Sequence, residues 1–202
     1  MNQRFRVDLH VHSSEYSECA RSTAAEQVAA AKKAGLHGIA FTDHHAQRAG
    51  CILDCLNREN YPLRVYAGAE ISADGEDWVV AGVLHRELSR ETAWSYPELH
   101  RFVRKLGGWI MLAHPFRYAN HIQVDLKRFR PDAIEYRSRN IAGHLEKRIL
   151  ALADDMGLPA MNDSDAHSAD KLGEHGNLLP VLPANDQELL AVLFNLPPGA
   201  AG

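Results

Sequence analysis

Short β-prone runs that alternate with helical runs, each helical run closed by a glycine, predict an α/β protein with a mainly parallel sheet, open or closed as a barrel. Two further observations bound the answer. The chain has 202 residues, enough for one domain with a well-buried core. Its apolar share of 46% and charged share of 24% are those of an ordinary globular protein, so neither a disordered nor a fibrous class is indicated.

The elements follow in order. FRVDLHV (5–11) reads as the first strand. A helix over 22–35 follows: Ser22 or Thr23 caps it, Ala and Gln favour its interior, and Gly35 stops it. GIAFTD (38–43) is the second strand. RVYAGAEIS (64–72) and DWVVAGVL (77–84) are the third and fourth, and the ADGE between them is too short for a crossover helix, so a hairpin or a barrel irregularity belongs there. A helix over 96–108 leads to WIMLAH (109–114), then come DAIEYR (132–137), a helix over 143–157 and PAMNDSD (159–165). The stretches 44–62 and 115–130 are the longest connections, and the Pro/Gly/Ala-rich LPPGAAG (196–202) reads as a frayed tail to a single domain spanning 1–202.

A net charge of −4 without a basic run gives no footprint for duplex nucleic acid. No apolar stretch reaches the roughly 20 residues of a membrane span, and the N-terminus runs into a strand without a signal-peptide core, so a cytoplasmic protein is expected. Cys19, Cys51 and Cys55 are too few for a disulfide framework. Cys51 and Cys55, four apart, are expected on one helix face as small apolar packing.

The candidate strands end in metal-ligating residue types. His10 and His12 close the first strand, Asp43 and His44 the second, Glu70 the third, His85 the fourth, His114 the fifth, and Asp165 and His167 the last. The C-terminal strand ends of a parallel α/β fold share one face, so these residues can converge on one pocket. A strand period of two sends His10 and His12 to the same side. Imidazole and carboxylate donors together suit Zn, Mn or Fe rather than Mg or Ca. Asp8 and Asp43, next to ligand histidines, are expected to fix imidazole tautomers. His37, His100, His121, His144 and His175 lack this placement.

DLHVHS (8–13), FTDHH (41–45), GAEIS (68–72), AHPFR (113–117) and DSDAH (163–167) resemble, in order, the motifs of the PHP family, the polymerase and histidinol phosphatase group of metal-dependent phosphoesterases. The resemblance implies a distorted (β/α)7 barrel with two or three divalent ions at its C-terminal face. It implies that His10, His12, Glu70 and Asp165 hold one ion, with Glu70 bridging to a second on His85 and His114. His44, His167 and Glu18 would hold a third, although the family places His or Asp where this chain has Glu18.

The expected activity is hydrolysis of a small phosphomonoester or short nucleotide by a metal-activated water, with Glu70 and Asp165 setting the metal spacing and charge. Arg117 at the site mouth is expected to clamp a phosphate oxygen, Arg137 and Arg139 to extend that patch, and His45 to protonate the leaving alcohol. The competing readings are a histidinol-phosphatase-like or phosphotyrosine phosphatase activity, a non-catalytic metal-stabilised module that binds a partner, and a C–N hydrolase. The last usually offers a lysine among its ligand strands, and this chain has none at a candidate strand end.

Overall fold

The structure is a computed structural model that describes residues 4–89 and 92–200. Nine strands form one sheet: β1 (Phe5–Val11), β2 (Gly38–Phe41), β3 (Arg64–Ala73), β4 (Glu76–Ala81), β5 (Trp109–Ala113), β6 (Ala133–Arg137), β7 (Pro159–Asn162), β8 (Asn177–Leu179) and β9 (Gly199–Ala200). The first seven lie in sequence order, with β8 outside β1 and β9 outside β7. The sheet curls so that its two ends approach. Val11 bridges Ala166 just beyond β7, His12 N–H donates to Ala166 O at 3.0 Å, and Leu9 N–H donates to Asp163 Oδ1 at 2.6 Å. This is the expected distorted barrel, closed at its seam by single bonds instead of a full ladder.

Pairing is parallel from β1 to β3 and from β5 to β7, but β4 is antiparallel to both of its neighbours. The cause is the turn that the sequence marked. Asp74 and Gly75 both have positive φ (50° and 79°), the mirror-image two-residue turn whose twist matches the flanking strands. The reversal puts the start of β4, not its end, on the face where the parallel strands finish.

Helices α1 (Ala24–Lys33), α2 (Gly50–Asn60), α3 (Tyr96–Lys105), α4 (Glu146–Met156) and α5 (Asp186–Leu193) surround the sheet. Thr23 and Glu26 form a reciprocal capping box at the start of α1, and Gly35 at φ 73° follows its end, both as the sequence predicts. The expectations for the 44–62 connection and the tail are corrected. Residues 50–60 are helical, with Cys51 exposed and the Cys55 thiol donating to Glu59 rather than packing in the core. Gly199–Ala200 pairs with β7, so that part of 196–202 is tied down, and 201–202 lie outside the described residues.

The barrel interior is filled by Leu9, Ala40, Tyr66, Val79, Trp109, Met111 and Met161, and Leu189 and Leu193 of α5 plug it from the end of the barrel near Gly82. A register shift in β1 decides what points inward near the other end. Asp8 pairs with Ile39 but Val11 pairs with Phe41, so three steps on β1 oppose two on β2. The extra residue flips the inward parity. Val7 and Leu9 pack inside, Val11 packs outside with α1, and His10 and His12 are left facing the interior. Among the described residues no helix is long and apolar enough to cross a membrane.

Candidate metal centre

His10, His12, Glu70 and Asp165 are all buried and converge at the C-terminal end of the barrel. His12 Nε2 lies 3.2 Å from both Glu70 Oε2 and Asp165 Oδ1, and His10 Nε2 lies 3.4 and 3.5 Å from the same two oxygens. A second group shares Glu70: His114 Nε2 is 2.9 Å from Glu70 Oε1 and 3.8 Å from Asp77 Oδ2. Glu70 thus turns one oxygen to each group. His44 and His167 flank the His12 ring, with centroids 4.5 and 4.2 Å from it, and His44 Nδ1 is 3.0 Å from Glu70 Oε2. The backbone is strained here, since His114 and Asp165 have φ of 27° and 52°.

The fit to cations rests on atoms that nothing else satisfies. His10 Nε2, His12 Nε2, Glu70 Oε2 and Asp165 Oδ1 are buried with no hydrogen-bond partner, although each faces the others. Converging buried lone pairs are costly unless a cation or a proton stands between them. The side chains behind them are already committed. His10 Nδ1 bonds Glu135 Oε1 at 3.0 Å, which leaves Nε2 as the lone-pair nitrogen, and His12 Nδ1 lies 3.3 Å from Ser17 Oγ.

Without metal, protons take that place. Burial opposes charge on His12, but the Asp165 and Glu70 carboxylates 3.2 Å from its Nε2 outweigh it and raise its pKa to about 9. Burial also opposes charge on His10, and Asp165, Glu70 and Glu135 together hold it well above the ordinary imidazole range. Burial would lift Glu70 and Asp165, yet the neighbouring histidines hold both carboxyls below their usual range. An imidazolium has no lone pair to give, so an ion must displace these protons. Metal affinity of the stripped protein is therefore expected to rise with pH from the neutral range up to about 9, the raised His12 value. Calorimetric titration of Zn²⁺ in buffers of different ionisation enthalpy should show proton release at pH 7. A flat affinity between pH 6 and 9 would refute the protonated site.

Several residues singled out in the sequence lie elsewhere. His85 follows the reversed β4 and so sits away from the cluster, where it packs edge-on against Phe102 and its Nδ1 accepts from Glu87 N–H. Asp77, at the start of β4, takes the place expected for His85. Its Oδ1 accepts from Ser72 Oγ and its Oδ2 from Tyr118 OH at 2.6 Å. Accordingly, Asp77→Asn should lose bound metal whereas His85→Ala should keep the wild-type content, as measured by elemental analysis; the reverse outcome would restore His85. Glu18 is exposed and, among the described residues, joins none of the groups that could hold an ion. The Ser13 and Ser17 hydroxyls bond Asp43, which turns Ser17 inward and leaves its neighbour Glu18 outside.

Asp43 and Asp8 do not touch imidazoles. Asp43 accepts from Ser13 and Ser17, with Arg48 against its other side, and Asp8 accepts from the backbone N–H of His10 and Ser164. The imidazole-fixing role falls instead to Glu135, which the sequence reading missed: it also accepts His114 N–H at 2.8 Å. A lone carboxylate inside the apolar run of β6 was the available signal. Arg137 and Arg139 are paired with Glu146 and Glu174. Arg117 does reach the site, with Nη1 3.4 Å from His114 Nε2 and 3.9 Å from Asp165 Oδ2. His45 is half-buried, and its Nε2 accepts Ser72 N–H. Burial, and then the neighbouring His44, hold its pKa below the ordinary imidazole value.

The model of the PHP domain matches residues 8–168, most of the chain. The chain belongs to the PHP family. No curated protein matches it. Solved structures share the PHP fold seen here. PsfC from Pseudomonas syringae is 19% identical over 95% of this chain and 89% of its own, with a TM-score of 0.70. A Bifidobacterium adolescentis protein described as a candidate metal-dependent phosphoesterase is 17% identical over 93% and 95%, with a TM-score of 0.68. A Chromobacterium violaceum amidohydrolase with bound sulfate and no metal is 15% identical over 93% and 96%, with a TM-score of 0.67.

Proposed function

We propose that this PHP chain is a metal-dependent phosphoesterase that hydrolyses small phosphomonoesters or short nucleotides. The observation that carries the reading is the pair of ion-holding groups joined through Glu70, with the Arg117 guanidinium beside both. His10, His12, Glu70 and Asp165 would hold one ion, and Glu70, Asp77 and His114 a second. His12, His44 and His167 form a third group that could hold an ion; because His12 Nε2 already faces Glu70 and Asp165, filling that position together with the first would call for a shared carboxylate. Zn, Mn or Fe fits these donors. When bound, such ions would supply Lewis acidity, lowering the pKa of water and offsetting charge on phosphoryl oxygens.

The chain's own groups do the rest. Glu70 and Asp165 fix the charge and spacing of the site, and Glu135 holds His10 in one tautomer. Arg117 is partly exposed and presents guanidinium donors where a non-bridging phosphate oxygen would rest.

The test is a panel of small phosphomonoesters, short oligonucleotides and cyclic amides, presented to stripped protein reloaded with Zn²⁺, Mn²⁺ or Fe²⁺. Hydrolysis of several phosphomonoesters is expected, with Arg117→Ala raising KM more than it lowers kcat, because it binds ground and transition states alike. Turnover of amides alone would assign the chain to C–N hydrolysis. No turnover by metal-loaded protein would leave the non-catalytic module.

A further inference from the structure

A cavity of about 590 Å³ opens beside the metal centre, between the loop after β5 and the start of α4. Two of its lining residues are tied to the centre: Arg117 approaches His114 and Asp165, and Asn140 donates its side-chain N–H to Asp165 Oδ2. The cavity is therefore continuous with the mouth of the site. Its far wall carries Arg148 and His144. Among the described residues that line it there is no carboxylate, although the chain as a whole has a net charge of −4. This is a local cationic recess on an acidic protein.

The second arginine is held in place. Arg148 stacks on Phe116, with its guanidinium carbon 3.8 Å from the ring centroid, and one Nη2–H donates to Asn120 O at 2.6 Å. Phe116 itself sits in a left-handed backbone conformation at φ 67°. Arg117 lies over Tyr118 in the same manner, 5.4 Å from the centroid. Two guanidinium groups, each seated on an aromatic face, are pre-organised for anions and lose little freedom on binding one. The first, Arg117, belongs to the phosphoryl group at the metal centre, and Arg148 has no such partner there.

We propose that the cavity is a subsite for a second anionic group on the alcohol side of the substrate, a phosphate or a carboxylate, bound by Arg148 with His144 and Asn140 at its edge. This rests on the phosphoesterase reading only in placing the first phosphoryl group at the metal centre. It narrows the substrate class from phosphomonoesters in general to those that carry a second anion within reach of the cavity.

Binding of unreactive phosphonates to the metal-loaded protein tests it by calorimetry. The probes are propylphosphonate, α,ω-diphosphonates of two, three and four carbons, and 3-phosphonopropionate. At least one diphosphonate, or the carboxylate analogue, should bind about tenfold more tightly than propylphosphonate, the gain of one charge-assisted contact. Which one does so separates a phosphate from a carboxylate. Arg148→Gln should abolish that gain and leave propylphosphonate binding as it was. Equal affinities across the series in the wild type, or an equal loss for all probes in the variant, overturns the subsite while leaving the phosphoryl site standing. Failure of every probe to bind overturns the phosphoryl reading and the subsite with it.

Discussion

Glu70→Gln is expected to lower kcat for any phosphomonoester substrate by about 10³-fold or more and to cost at least one bound ion. The reason is how much converges on this carboxylate. Its Oε2 lies within 3.4 Å of nitrogens from His10, His12 and His44, and its Oε1 lies 2.9 Å from His114 Nε2. An amide offers one neutral oxygen and one N–H₂, so one of the two groups would face a donor where it needs a lone pair. The loss of a buried negative charge also leaves two cations repelling one another, and at short range that repulsion is large in a poorly solvated site. The chain should still fold, because the barrel core lies below the site and α5 closes it independently. Elemental analysis and steady-state kinetics on the same preparation decide the matter. Full metal content with undiminished kcat would show that Glu70 does not join the two groups.

The strand-end histidines and carboxylates were legible because position alone carries the information. His10, His12, Glu70, His114 and Asp165 sit where parallel strands finish, and the structure brings all five to one end of the barrel. His85 falls away from the cluster because its strand runs antiparallel to both neighbours. The ADGE turn already implied a reversal, and a reversed strand shows its first residues at the shared face, which is where Asp77 lies. Glu18 was unreadable for another reason: its direction depends on how Ser13 and Ser17 bond Asp43, a contact between segments about thirty positions apart in the chain. The inward turn of His10 and His12 depends on the register shift in β1, and no pattern of apolar residues within β1 alone marks that shift. Arg137 and Arg139 were near the right strand end, but their partners Glu146 and Glu174 come from later elements.

Glu135→Gln is expected to weaken metal binding by about 10- to 100-fold, the usual cost of losing the group behind a ligand histidine. Glu135 is fully buried and uses both oxygens as acceptors, one for His10 Nδ1–H at 3.0 Å and one for His114 N–H at 2.8 Å. It thereby ties a ligand of the first ion group to the backbone of a ligand of the second. Glutamine has the same shape but only one acceptor, so its N–H₂ must oppose one of the two donors. If it opposes His10, the imidazole is pushed toward the tautomer that protonates Nε2, the nitrogen that faces Glu70 and Asp165. If it opposes His114, the strained turn at φ 27° loses its anchor. Glu135→Leu removes both acceptors and leaves two buried donors unpaired, at about 1–3 kcal/mol each, so its loss in thermal stability should exceed that of the glutamine variant. Metal affinity, measured by competition with a coloured chelator, separates the two effects, since excess metal should restore most of the turnover of Glu135→Gln and none of the missing hydrogen bonds. An unchanged affinity in that variant would mean that His10 is oriented by the barrel wall alone.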